Sequence, residues 1–149
     1  TEINLNFNRE FIEVSRVNDL KEMEEVLNNE DNVRKIGMLY NESFYILKFK
    51  NFEKYFKEKN DYIELDSFLV DNFLINELIE IKENTEFFYH SSKEYLIKEY
   101  EKRKKGAIFF LRPVKKSIFI KMCLDGKIMP QKTTYFYPKV PSGLVIYKF

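Results

Sequence analysis

What most constrains this chain is where it withholds glycine and proline. Before residue 106 it carries one glycine, Gly37, and no proline; Gly106, Gly126, Gly143 and the prolines Pro113, Pro130, Pro138 and Pro141 all come later. These two residues are the strongest local punctuation a sequence has. The first two-thirds must therefore fold as long regular elements, and the last third as short elements joined by fixed turns. No internal repeat or low-complexity tract interrupts this division.

Hydrophobic spacing fills in the elements. Phe11-Ile12-Glu13-Val14 reads as a short strand. Asn18 or Asp19 then caps a helix through Asn29, with Leu20, Met23 and Leu27 at helical intervals. The apolar, β-branched runs Ile36 to Tyr40 and Phe44 to Phe49 flank Asn41-Glu42, which predicts a hairpin without the usual glycine. Phe52 to Lys59 reads as one or two helical turns. Asp66 or Ser67 opens a helix whose buried stripe is Phe68, Leu69, Phe73, Leu74, Leu78 and Ile79. Glu86 to Tyr89 is a strand candidate, Ser91 or Ser92 caps a helix to Lys105, and Gly106 stops it. Ala107 to Leu111 is a short strand ended by Arg112-Pro113.

Ser117 to Leu124 fits either period. Ile118, Ile120, Met122 and Leu124 alternate, whereas Ile118, Phe119, Met122 and Cys123 form a helical stripe. Asp125-Gly126 favours the helix by supplying its C-terminus. Strands at Thr134 to Tyr137 and Leu144 to Tyr147 close the chain. The expected class is α+β, a single domain with a mixed or antiparallel sheet and helices packed on it.

Composition excludes several functions. At 149 residues, 44% hydrophobic and 33% charged, the chain can bury a core, so it is not disordered. No apolar run approaches the ~20 residues that span a bilayer, so no membrane is expected as a partner. Twenty-five Lys and Arg against 24 Asp and Glu leave no global field to attract nucleic acid. One cysteine and one histidine rule out an intramolecular disulfide and a Cys/His zinc site. The acids Asp61, Asp66 and Asp71 are dispersed and nominate no Mg²⁺ site. A cytoplasmic setting is the default. Thr1 is not an initiator residue, and the expectation is a piece of a larger protein.

The segment Met129 to Lys139, MPQKTTYFYPK, is the main ligand-binding candidate. Two prolines bracket the Gln131 amide, the Lys132 ammonium and the Thr133 and Thr134 hydroxyls. Lysine is a point charge for phosphate or carboxylate, and neighbouring hydroxyls and amides complete a cradle. Strand alternation puts Thr133, Tyr135, Tyr137 and Lys139 on one face. The plain alternative is a β-turn, an amphipathic strand and solvated lysines, since the loop lacks the glycines of a P-loop. His90, where a strand passes into a helix, is a candidate beside its role at a helix start, histidine being the residue type that changes charge near neutrality. Arg112, at a strand end, is a candidate beside the alternative of a salt bridge. Residues Glu101 to Lys105 complement a helix dipole, and nucleic-acid binding there is a poor second. Cys123, Phe87, Phe88, Phe109 and Phe110 are expected in the core. Nothing marks a catalytic triad.

The closing run MPQKTTYFYPKVPSGLVIYKF resembles the end of a microbial protein family known as domain of unknown function 1015, whose members end in a stretch like MPxKSTYFYPKxxSGLV. Thr133 stands where that family has serine, which keeps the hydroxyl. FIEVSRVNDLKEMEEVL, IGMLYNESFYILKFK and FFYHSSKEYL with GAIFFLRP are similar more loosely. The resemblance implies that the chain is the C-terminal half of a protein about twice as long. The absent N-terminal domain, of ParB-like type, would carry an Asp-Gly-His-His-Arg motif that is not found here. It further implies that Lys132, Thr133, Thr134, Tyr135, Tyr137 and Lys139 line one wall of a composite site. By analogy that site performs phosphoryl transfer, with a nucleotide as cofactor of the full-length protein, and the isolated domain is inactive. The competing expectation is a non-catalytic interaction domain docking through its Tyr-rich terminal strand.

Overall fold

A computed structural model of the chain describes residues 10–29, 31, 33–51, 61–75, 86–130 and 133–134. Its first helix, α1 (Leu20–Asn28), starts where the sequence supplies both halves of a cap. The Asp19 carboxylate accepts from the Glu22 amide at 2.8 Å, and Glu22 reaches back to the Asn18 amide at 2.7 Å. Reciprocal satisfaction of otherwise orphaned amides fixes the helix start. Its far end is closed by a residue outside it. Lys35, only 3% exposed, donates to the Val26 carbonyl and pairs with Asp31.

Four strands form one antiparallel sheet in the order β1-β3-β2-β4: β1 (Ile12–Val17), β2 (Arg34–Tyr40), β3 (Ser43–Phe49) and β4 (Ala107–Phe110). The hairpin expected at Asn41-Glu42 is present, with both residues at positive φ (46° and 57°). Such a turn matches the twist of its strands, but Glu42 has no glycine's freedom there. A tertiary contact compensates: the Glu42 amide donates to the Tyr100 hydroxyl at 3.2 Å.

Strand alternation sorts the core into two layers. On one face Ile12, Ile36, Met38, Leu47 and Phe49 pack against Leu69, Val70, Phe73 and Leu74. On the other, Val17 and Ile46 meet Met23 of α1, while Leu39 and Ile108 meet Tyr100 of α3 (Lys93–Arg103). Gly37 lies under α1, where an added Cβ would come within 2.7 Å of Met23 Sδ and 3.2 Å of Phe110 Cβ. The helix sits this close because that position is empty.

Several expectations are corrected. The helix at residue 66 begins as α2 (Asp66–Leu69) and continues as a π-helical stretch, Val70–Ile75. Neither Asp66 nor Ser67 caps it; its N-cap is Leu65, without a side-chain bond, because Asp66 is directed elsewhere. Phe68 leaves the predicted stripe to stack on Tyr62, and Val70 takes the buried place. Helix α3 turns left-handed at Lys104 (φ 49°), two residues before Gly106, which is also at positive φ. Residues 86–90 join no sheet among the described residues, and Phe87 and Phe88 are exposed rather than core. The ambiguous segment is helical, α4 (Lys116–Leu124). It closes on Gly126 with Lys127 N–H bonded to the Met122 carbonyl and Gly126 N–H to that of Cys123. Met122 takes the inward position, so its neighbour Cys123 is exposed, not buried. The expected elements at 52–59 and at 144–147, and all of the strand at 134–137 except Thr134, lie outside the described residues. Among the described residues no helix is long and apolar enough to cross a membrane.

Candidate functional site

Beyond the C-terminal end of β4 the chain opens a cleft of about 1320 Å³. Its walls come from α1 (Met23, Leu27), the run before α3 (Phe88 to Ser91), the start of α3, the stretch Phe109 to Val114, α4 (Lys116, Phe119) and Thr133-Thr134. Each wall has a local cause. Ser92 caps α3 by accepting from the Tyr95 amide at 3.1 Å, which turns the preceding residues away from the helix axis. Pro113, lacking an amide to donate to a ladder, lies in the irregular stretch 111–115 between β4 and α4.

Arg112 and Asp66 form the most buried charge pair of the cleft wall. The Asp66 carboxylate takes Arg112 Nε at 3.0 Å, Nη2 at 2.8 Å and the Arg112 backbone amide at 2.9 Å. Two of these bonds are the parallel fork that matches guanidinium to carboxylate. The hydrogen bonds that Arg112 donates to Asp66 push its guanidinium above its ordinary range, against the opposing effect of burial. Nearby Arg34, which pairs with Glu64, is pushed down by burial and then by the charge of Arg112. Arg112 is thus engaged in the salt bridge that sequence reading held as its alternative role.

Thr133 ties the ligand-candidate segment to the same corner. Its hydroxyl donates to the Pro130 carbonyl at 2.6 Å and lies 2.9 Å from the Ser67 hydroxyl, which donates in turn. Ser67 and Asp66 therefore anchor two separate segments from one helical turn. Thr134 faces the cleft beside it. Gln131, Lys132, Tyr135, Tyr137 and Lys139 lie outside the described residues.

His90 is held by its own helix start. Its Nδ1 accepts from the Ser92 amide at 2.9 Å, and the ring stacks on Tyr95 at 4.3 Å between centroids. With Nδ1 accepting, a neutral ring carries its proton on Nε2. Lys93 pairs with Glu24 across the cleft, joining α3 to α1. Tyr89 has its phenol pushed up by partial burial and by the charge of Asp71. Among the described residues no cluster of three His, Cys, Asp or Glu could hold a metal ion.

Sequence reading nominated His90, Arg112, Thr133 and Thr134 from three separate stretches, and all four line this cleft. It missed Asp66, Ser67, Glu24 and Lys116. The first two looked like helix caps, and nothing local distinguishes a capping carboxylate from one that reaches residue 112. The basic run Glu101 to Lys105 is largely neutralised: Lys102 pairs with Glu99, Lys104 with Glu42, and Arg103 with Glu86 while lying 4.6 Å over the Phe88 ring. Comparison of the chain with family models, curated proteins and solved structures returned no match.

Proposed function

We propose that this domain binds a small anionic ligand in the cleft, with the segment Met129 to Lys139 as one wall of a site completed by another domain of a longer protein. The observation that carries the reading is the convergence of Thr133, Thr134, His90 and Arg112, residues far apart in sequence, on one cavity. The charges described there largely cancel, Arg112 against Asp66 and Lys93 against Glu24. Lys116, in the first turn of α4, has no ion-pair partner among the described residues. Lys132, adjacent to Thr133 in the chain, then decides the sign of the site. A cation, two hydroxyls and the first amides of a helix suit a phosphate or carboxylate.

The resemblance to the domain of unknown function 1015 family extends this proposal to phosphoryl transfer in the full-length protein, with a nucleotide and a ParB-like partner domain. On that reading the isolated domain binds without turnover. The test is an amide-resonance titration of the chain with inorganic phosphate and, separately, with ATP. Shifts at Thr133, Thr134 and Lys116 are expected, weakened tenfold or more in Lys132→Ala. Unmoved resonances at millimolar ligand reject the proposal.

A second reading, a non-catalytic interaction domain, draws on the end of α4 and the residues after it, where Leu124 is 82% and Ile128 86% exposed. Contiguous exposed apolar patches mark contact surfaces. Sedimentation of the wild type beside Leu124→Ser with Ile128→Ser, and beside Tyr135→Ala with Tyr137→Ala, decides it; unchanged mass in all three rejects docking.

A further inference from the structure

Hydrogen bonds at the corner between α2 and Thr133 run in one direction. A hydroxyl has one hydrogen to give and two lone pairs with which to receive. The Thr133 hydroxyl lies 2.6 Å from the Pro130 carbonyl, which can only accept, so its hydrogen is spent there. Ser67 Oγ lies 2.9 Å from Thr133 Oγ1, and with the Thr133 hydrogen committed Ser67 must give its own. The chain of donation is Ser67 to Thr133 to Pro130. Beside it, the Asp66 carboxylate accepts from the Arg112 side chain and backbone. The oxygens of Asp66, Ser67, Thr133 and Pro130 thus face this corner as acceptors.

The direction of that chain is costly to reverse. The Pro130 carbonyl also receives the Thr133 amide at 3.4 Å, so one residue binds one carbonyl twice. Threonine's branched Cβ restricts its rotation. Turning the Thr133 hydrogen toward a ligand would give up the shorter of the two bonds. The hydroxyls of Thr133 and Thr134 therefore have different tasks. Thr133 holds the segment to Ser67, whereas Thr134 is exposed at the cleft and is the one that donates to an anion. Ser67 and Thr133 line the same cleft and are only half-buried. Whatever meets their oxygens has to bring the hydrogen itself. The carboxylate beside them is matched by Arg112 at 2.8 Å, so a neutral donor suffices.

We infer that the small anion of the cleft carries a hydroxyl that donates to the Ser67–Thr133 pair while its charged group faces Thr134 and Lys132. Those two residues flank Thr133 in the chain, and adjacent Cα atoms are about 3.8 Å apart. The hydroxyl then belongs on the carbon next to the one bearing the phosphate or carboxylate. An acceptor covered by a group without a hydrogen is left unmet, which costs more than the bond gains. Sites built this way reject analogues that lack the donor. This inference rests on the anion reading above and names the class of ligand within it.

The test is an amide-resonance titration of the whole chain with inorganic phosphate and with propyl, 2-fluoropropyl, 2-hydroxypropyl and 2-aminopropyl phosphate. Lactate and propanoate form the carboxylate arm. The hydroxypropyl ester should bind about fivefold tighter than the propyl and fluoropropyl esters, the scale of one neutral hydrogen bond. Fluorine matches the hydroxyl in size and can accept but not donate. Thr133→Ser keeps both bonds and should keep that ratio. Ser67→Ala with Thr133→Val removes both oxygens and should bring it to about one. If the double variant does not fold, the wild-type ratio decides alone. Equal binding of the hydroxyl and fluoro esters, with lactate no better than propanoate, overturns this inference and leaves the anion reading standing. An amino ester tighter than the hydroxyl ester overturns the choice of a neutral donor. Unmoved resonances with every probe, inorganic phosphate included, overturn both.

Discussion

Helices α1 and α4 have the same length, yet the fold treats them in opposite ways. Helix α1 lays Met23, with Leu20, Val26 and Leu27, on the sheet. Helix α4 sends Met122 inward but leaves Ile120, Cys123 and Leu124 outside. One helix is held by apolar burial, which is indifferent to pH. The other is tied to the chain by charge: Asp61 accepts from Lys121 at 2.8 Å and also pairs with Lys127. The pattern of a helix's faces thus decides what fastens it.

The contrast makes graded predictions. Met23→Ala should cost about 3 kcal/mol, because the side chain is fully buried and little around it can collapse. A urea midpoint shifted at constant slope would show it. Gly37→Ala should cost about 2 kcal/mol by pressing against Met23 and Phe110, less if the thioether swings aside. A Gly37→Ala chain as stable as the wild type would mean that α1 is not seated closely.

The charge tie of α4 should respond to acid. Its hydrogen bonds from Lys121 and Lys127 lower the Asp61 carboxyl from its ordinary 3.8 to about 2. A depressed carboxylate stabilises the fold above its unfolded value and loses that contribution as pH falls toward its folded value. The protection factors of the α4 amides, with the pH dependence of intrinsic exchange divided out, should therefore fall between about pH 4 and 2 in the wild type. In Asp61→Asn they should be lower at pH 6 and flat across that window; a slope in the variant equal to the wild type would assign the effect elsewhere. Smallest of all, Leu124→Ser should change stability by less than about 0.5 kcal/mol. A larger loss in thermal denaturation would reveal that Leu124 is covered.

The same contrast explains how much was legible in the sequence. Signals contained within a few residues held: Asp19 with Glu22, Asn41-Glu42 as a turn, Gly126 after α4, and the period of Leu20, Met23 and Leu27. The antiparallel sheet with helices on both faces is within the expected α+β class. Signals that depend on a distant partner misled. Asp66 has the spacing of a cap, but Arg112 offers it a fork of charge-assisted bonds that no amide in its own helix can match. Phe87 and Phe88 have strand-like composition, and no neighbouring strand among the described residues takes them up. Cys123 sits in an apolar stretch whose inward place belongs to Met122. For the candidate site, residue type nominated His90, Arg112, Thr133 and Thr134, but only the fold shows that they share a cavity.

The insertion of β4 beside β2 has a consequence for how the chain matures on the ribosome. Strands β1, β2 and β3 and helix α1 are complete once Phe49 has emerged, but β2 keeps one hydrogen-bonding side unmet until Ala107 arrives. At ~5–20 residues per second that interval lasts several seconds. During that time Gly37 and Leu39 present bare amides that any passing strand could pair with. The Tyr100 hydroxyl, which steadies the Asn41–Glu42 bend, arrives only shortly before β4 itself. A nascent chain stalled between those two points is the form of this protein most exposed to aggregation.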